Sequence, residues 1–230
     1  MNIARKPRSN IHQFWVRGDK VENVQRPVRQ SEYRLKEDIR FSPEDGFVRL
    51  GLHMERLALG ALRLGIPLDI QRIEDAILAV VAPQATWFQL RVALDGAVTV
   101  NAAPIPRCGS VWLVEWADQT VDETNLPDGF NADLGQESQT IVTPHGIDEI
   151  VSCNTSGNAV GGLSTNLFVS DGEMLLTPMI QDGARAGVLR AELLKSGEAQ
   201  EAALSREDVQ TATMVYVGNS LHGLIPAQFV

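Results

Sequence analysis

The stretch YRLKEDIRFSPEDGFVRLGLHMERLALGALRLG (33–65) changes its hydrophobic period midway. From Tyr33 to Phe41 apolar and polar residues alternate, as they do along a strand with one buried face. SPEDG (42–46) supplies Pro, Asp and Gly for a turn. Val48, Leu50, Leu52, Leu57, Leu59, Leu62 and Leu64 then recur at a broadly helical spacing that stops near Gly65 and Pro67. Strand, turn and helix thus follow one another within a single run. Outward from it, HQFWVRG (12–18) reads as a short strand and IQRIEDAILAVV (70–81) as an amphipathic helix. WFQLRVAL and AVTVNAA flank Asp95-Gly96, a strong hairpin signal.

PIPRCG (104–109), with two prolines and a glycine, reads as the link between halves spanning 1–105 and 106–230. SVWLVEW (110–116) resumes strand character. Residues 118–146 are polar, carry little periodicity and form a longer stretch than an ordinary loop. DEIVSCN, LSTNLFVS and EMLLTP predict a small antiparallel sheet. AGVLRAELLKSG predicts a helix starting near Gly187, REDVQTAT a further helix, and MVYVGNS and GLIPAQF the final strands. The expected class is α+β, with strands and helices segregated.

The net charge of −9 argues against general nucleic-acid binding. No apolar run reaches the roughly 18 residues of a membrane span. MNIARKPRSN is basic with no apolar segment behind it, so an arm rather than a signal peptide is expected, and a cytoplasmic location with reduced thiols. Cys108 and Cys153, with four scattered histidines, have no metal-ligand spacing, so no metal site is expected.

Four segments, in order, carry a resemblance. EDIRFSPEDGFVRLGLHMERL (37–57) contains H-x-x-R-L at His53, Arg56 and Leu57. GLSTNLFVSDGEMLLTP (162–178) is similar to an asparagine-centred G-x-x-[ST]-N-[LI]-F strand followed by Thr-Pro. ARAGVLRAELL (184–194) is similar to an L-P-G-[IV]-[TL]-R helix start, and VGNSLHGLIPA (217–227) to N-S-x-x-G-[ILV]-x-P. Together they resemble the fold-type IV (class IV) aminotransferase family, its aminodeoxychorismate lyase-like branch, over roughly residues 33–230. The resemblance implies a two-domain α+β fold of the D-amino acid aminotransferase-like architecture, usually homodimeric, with the site between the domains. It implies Arg56 as the cation for the phosphate of pyridoxal phosphate (PLP). The backbone N–H groups of Val188 and Leu189 would complete the cup, as a helix N-terminus favours an anion.

Two departures stand against it. The family's Schiff-base lysine lies some twenty residues before an element matched here by GIDE (146–149), near Phe130 by spacing. No lysine is there; the four lysines are Lys6, Lys20, Lys36 and Lys195. The family's pyridine-binding glutamate, counted back from Asn166, falls on Gly161. PLP chemistry needs both groups.

Lys36, Asp38 and Arg40, two residues apart, share one strand face. A solvated, salt-bridged face is the plain reading. The catalytic one makes Lys36 and Asp38 acid, base or amine nucleophile and Arg40 a carboxylate ligand. Glu37 points the other way and reads as structural. Arg56 reads equally as a ligand group and as a partner of Glu55 or Glu37. Arg107 and His222 read as solvated or structural residues with a possible pocket role, and His145 as a loop histidine. Ser164, Thr165 and Asn166 are candidate anion ligands, though such hydroxyls usually bond local backbone. The leading expectation is a PLP-independent lyase, isomerase or cyclase acting on a small carboxylated or phosphorylated metabolite. The others are a non-catalytic homodimer that binds a ligand, and a PLP enzyme holding its cofactor non-covalently or through Lys36.

Overall fold

The computed structural model describes residues 12–17, 20–22, 33–78, 82–121, 143–170 and 172–230. The alternation after Tyr33 forms strand β3 (Tyr33–Ser42), and β4 (Gly46–Phe47) folds back on its end. Leu35, Glu37 and Ile39 are buried, while Lys36, Asp38 and Arg40 take the opposite face. Helix α1 (Leu50–Leu64) presses His53, Met54, Leu57 and Ala61 onto the buried side. It ends at Gly65, whose φ of +64° forms a left-handed cap that glycine adopts without strain. Helix α2 (Ile70–Leu78) follows; the expected helical residues 79–81 lie outside the described residues.

Strands β5 (Thr86–Ala93) and β6 (Val98–Pro104) form the hairpin around Asp95-Gly96. With β1 (His12–Arg17) and β2 (Lys20–Glu22) they make an antiparallel sheet ordered β2-β1-β6-β5-β3-β4. Its core includes Ile39, Leu57, Ile77, Phe88 and Leu90. Each such side chain, fully buried, contributes about 1.5–3 kcal/mol.

The second sheet begins at β7 (Trp112–Trp116) and adds β8 (Glu149–Cys153), β9 (Ala159–Gly162), β10 (Asn166–Ser170), β11 (Leu175–Pro178), β12 (Ala199–Ala202), β13 (Met214–Asn219) and β14 (Gly223–Phe229). Its order is β12-β11-β10-β13-β14-β7-β8-β9. The sequence reading of a small antiparallel sheet is corrected here. This sheet has eight strands and is mixed, because β11–β12, β14–β7 and β7–β8 pair in parallel. Parallel partners need a crossover, and helix α3 (Val188–Ser196) supplies the one between β11 and β12. Helix α4 (Arg206–Thr211) opens on a capping box in which Ser205 and Asp208 bond each other's backbone N–H. A separate core of Val114, Val151, Leu167, Val209 and Val217 holds this half, and Phe168 packs with Leu189 and Leu193 of α3. No helix among the described residues is long and apolar enough to cross a membrane.

Candidate functional site at the seam between the halves

Glu37 sits inward on β3, beneath α1, with its side chain almost wholly out of water. His53 and Arg56 are three residues apart on α1 and therefore share a face. Both converge on Glu37. Arg56 Nε donates to Oε1 at 2.8 Å and Nη2 to Oε2 at 2.5 Å, a forked contact. His53 Nδ1 lies 2.5 Å from Oε2, and His53 Nε2 lies 2.7 Å from the Ser220 hydroxyl. Burial works to raise the pKa of Glu37. The charge of Arg56 and the hydrogen bonds from His53 and Arg56 overcome it and hold the carboxyl below the ordinary glutamate range.

The same residues fasten the halves together. His53 reaches Ser220, and Arg56 Nη1 donates to Ala186 O at 3.2 Å. Arg49, at φ +60°, donates to Glu192 on α3 at 2.5 Å and to Ser220 O at 3.3 Å. Arg40, from the open face of β3, donates to Leu221 O at 3.2 Å. Four side chains of the first half therefore meet α3 and the β13–β14 turn of the second.

The start of α3 is held from beneath. Ala191 N makes the first helical bond, to Gly187 O, so the amides before it have no partner within the helix. Asn166 donates through Nδ2 to Arg185 O at 2.7 Å, and its Oδ1 packs on Gly187, where an added Cβ would fall 1.9 Å away. Glu149 shapes the loop before Asn166. It accepts from the amides of Leu163 and Ser164 at 3.0 and 3.1 Å and from the hydroxyls of Ser164 and Thr165 at 2.8 and 2.9 Å. The two hydroxyls expected to meet an anion thus meet a carboxylate of the chain itself. Gly161 has φ +129°, a conformation that strains any larger residue.

On the open face of β3, Asp38 Oδ1 accepts from Trp87 Nε1 at 3.0 Å and from Arg91 Nη2 at 2.9 Å. Lys36 shares that face and is partly buried. His222 lies in the β13–β14 turn, where Asn219 Oδ1 accepts from the amides of Leu221 and His222. Burial first, and the nearby charge of Arg40 second, push its pKa below the ordinary histidine value. Its ring meets Trp112 edge-on. Arg107 and His145 are exposed, and neither joins these contacts. The position near Phe130 lies outside the described residues.

Sequence reasoning quoted His53, Glu149 and Arg185 only inside motifs and assigned them no role. An acid at an inward position of β3, facing His and Arg three apart on one helix, was the available signal for the Glu37 cluster. For Arg185 the signal was a basic residue where the matching motif carries leucine. Its guanidinium donates through Nη2 to Leu163 O. Among the described residues, no group of His, Cys, Asp and Glu side chains could hold a metal ion.

This arrangement of two sheets and their helices is that of fold-type IV aminotransferases. The family model for class IV amino-transferases matches residues 141–229. A solved structure provisionally assigned as an amino-acid aminotransferase from Mesorhizobium loti is 34% identical, with 86% of this chain and 100% of that one covered and a TM-score of 0.77. The chain belongs to the class IV aminotransferase family. The branched-chain amino acid aminotransferase of Escherichia coli shares the fold at 20% identity, with 96% and 86% of the two chains covered and a TM-score of 0.79. A provisionally assigned 4-amino-4-deoxychorismate lyase from Legionella pneumophila does so at 19% identity, 89% and 88% coverage and a TM-score of 0.72. No curated protein matches the sequence.

Proposed function

We propose that this chain is an enzyme that has kept the family's anion-binding seam and uses it, without PLP, for acid–base chemistry on a small carboxylated metabolite. One observation carries the reading. Arg56, Asn166 and the α3 start are retained, whereas the groups that PLP chemistry requires have no counterpart among the described residues. Gly161, at φ +129°, stands where the family places its pyridine carboxylate, and a glutamate there would be strained. Arg185 brings a cation to the seam, the wrong sign for a protonated pyridine. Lys195 is exposed on the last turn of α3, and Lys36 lies on the open face of β3. This donor set does not fit PLP.

The chemistry then falls to placed acid and base groups. Asp38 is oriented by two donors on Oδ1, and its Oδ2 carries no bond among the described residues. That oxygen is suited to accept a proton from carbon or oxygen. His222, its pKa pushed down by burial and by Arg40, is neutral at neutral pH and can take or return a proton. Arg40 makes no carboxylate contact among the described residues, so it can neutralise the negative charge that develops next to a substrate carboxylate. Lyase, isomerase and cyclase steps need no more than this. Glu192 and Glu37 match Arg49 and Arg56, whereas Arg40 and Arg185 donate to backbone carbonyls, and in a chain of net charge −9 these two favour an anionic ligand at the seam.

The test is exchange of carbon-bound hydrogen in deuterium oxide, followed by NMR, on a panel of small oxo and unsaturated carboxylates. Wild-type protein should exchange at least one substrate, and Asp38→Asn should lose that exchange. A purified sample with a visible aldimine band that borohydride fixes to a lysine would overturn the PLP-free reading. Fixation on Lys36 would favour the second reading, a relocated Schiff base, which its position beside Asp38 and Arg40 supports. Saturable binding with no exchange would favour a non-catalytic binding protein. The forked engagement of Arg56 by Glu37 supports that last reading, since it gives Arg56 a purely architectural task. A homodimer in the cytoplasm belongs to the same proposal, and sedimentation tests the stoichiometry.

A further inference from the structure

We propose that Asn101, with Gln89 beside it, is a specificity-determining residue of the seam, and that it receives a hydroxyl group remote from the ligand's carboxylate. The inference rests on the reading of the seam as a carboxylate site. The register of the first sheet sets Asp38 of β3 opposite Gln89 of β5, and Gln89 opposite Asn101 of β6. The alternate residues Phe88, Leu90, Val98 and Val100 enter the core beneath α1. Asp38, Gln89 and Asn101 therefore form one row across the open face, and each is partly exposed. The second half meets this same face at Leu221, whose carbonyl accepts from Arg40.

The row holds hydrogen-bonding capacity that the chain leaves unused. Asn101 Oδ1 is closed off from water and has no hydrogen-bond partner, although the residue as a whole is partly exposed. Gln89 makes no side-chain hydrogen bond among the described residues, even with Asn101 at its paired position. Asp38 is engaged on one side, where Trp87 and Arg91 both donate to Oδ1. A carbonyl oxygen that lacks both water and a protein donor carries a penalty that an arriving donor relieves. A carboxylate offers no donor. A hydroxyl offers one, and keeps lone pairs for the Gln89 amide. An ammonium group would also donate, but Lys36, Arg40 and Arg91 already set three cations against the carboxylate of Asp38 on the β3–β5–β6 face. A further cation there is repelled, so a neutral donor is favoured. No bond fixes Gln89, so its side chain can turn aside and admit that donor to Oδ1. The spacing sets where the hydroxyl belongs. Asn101 lies two strands from Asp38, about 9–10 Å between Cα atoms, and Arg40 lies about 7 Å along β3 from Asp38. A hydroxyl several bonds from a carboxylate held at Arg40 spans that diagonal, and one on the adjacent carbon does not.

The experiment is calorimetric titration of the full chain with butyrate, 2-hydroxybutyrate, 4-hydroxybutyrate, 4-aminobutyrate, cyclohexanecarboxylate and trans-4-hydroxycyclohexanecarboxylate. Wild-type protein should bind at least one of the 4-hydroxy acids about tenfold or more tightly than its deoxy parent, and 2-hydroxybutyrate no better than butyrate. Asn101→Val should bring that 4-hydroxy acid down to its parent and leave the parent's own affinity in place. Asn101→Thr, which keeps an oxygen, should recover part of the preference. Without ligand, Asn101→Val should melt no lower than wild type, because it removes an unpaired acceptor, whereas loss of a merely structural asparagine would lower the Tm. Equal binding of 4-hydroxy and deoxy acids by wild type, a preference that survives in Asn101→Val, tighter binding of 4-aminobutyrate than of 4-hydroxybutyrate, or a lower Tm for Asn101→Val would each overturn the role of Asn101 and leave the carboxylate site standing. If none of the six compounds binds, the carboxylate site falls, and the inference with it.

Discussion

Glu37→Gln perturbs the centre of the seam while nearly conserving volume. In the wild type three donors converge on two oxygens at 2.5–2.8 Å, with side-chain exposures of 3% for Glu37, 0% for His53 and 14% for Arg56. A glutamine amide has one acceptor oxygen, so its NH₂ must face one arm of the Arg56 fork, either Nε alone or Nη2 together with His53. Breaking a buried pair by neutralising one partner costs about 3–5 kcal/mol. Arg56 retains some access to water, which places the expected loss near the lower end, at about 3 kcal/mol. For a chain of this size that corresponds to a drop of roughly 6–12 °C in Tm at pH 7, read by circular dichroism. The pH dependence gives a second check. The carboxyl of Glu37 titrates below its ordinary value in the folded chain. The folded state therefore binds fewer protons than the unfolded one in that window. The stabilisation is fully present above the unfolded glutamate pKa of about 4.3 and drains away as pH falls through the lower folded value. The gap between wild type and Glu37→Gln should accordingly be widest at neutral pH and narrow below about pH 4. A Tm change under about 2 °C, or a gap that stays constant into acid, would refute the picture of an ionised, closely packed cluster.

Gly187→Ala should destabilise by about 1–3 kcal/mol in urea unfolding, because the new Cβ would fall 1.9 Å from Asn166 Oδ1 and push apart the Asn166–Arg185 clamp beneath α3. Arg49→Ala and Arg49→Gly both lose the contacts to Glu192 and Ser220, but only glycine takes φ +60° without strain. The glycine variant should therefore be the more stable of the two by about 1 kcal/mol, and the reverse order would dismiss the strain. In an NMR titration His222 should protonate below the ordinary histidine value, and Arg40→Leu should move it upward without fully restoring it, since burial is the larger cause. Because the folded pKa is depressed, the contribution of this histidine is intact above about pH 6.5 and is lost as pH falls through the folded value.

The local pieces of the fold were legible because they depend on near neighbours. The alternation of 33–41, the Pro-Glu-Asp-Gly turn and the leucine spacing of 50–64 each specify an element through contacts a few residues apart. Asp95-Gly96 does the same for its hairpin. The second sheet was not legible as a whole. AVGG (159–162) and AQEA (199–202) are four-residue strands with no alternation, and each is a strand only because a distant partner accepts it. The parallel pairing of β14 with β7 joins residues over a hundred positions apart, which no local pattern encodes. The seam was legible in its identities and in part in its partners, since Glu55 and Glu37 were both named for Arg56. Arg56 could be found from H-x-x-R-L, but that its fork closes on Glu37 depends on how α1 sits over β3.

That last point decides how much the retained motif can mean. Arg56 is engaged by Glu37, and through Ala186 it also ties the first half to the start of α3. His53 makes a parallel tie through Ser220. A residue with such a task would be kept by a chain that needs its halves joined, whatever the ligand between them. Retention of Arg56 therefore supports an intact fold and says little about cofactor. Discrimination must come from positions that do no joining. Gly161 and Arg185 are two described positions where this chain departs in charge from the pattern it resembles. One withholds a negative charge and the other introduces a positive one. On the reading proposed above, both departures turn the seam toward an anion and away from a pyridinium, and neither residue makes the joining contacts of Arg56 to Ala186 and of His53 to Ser220.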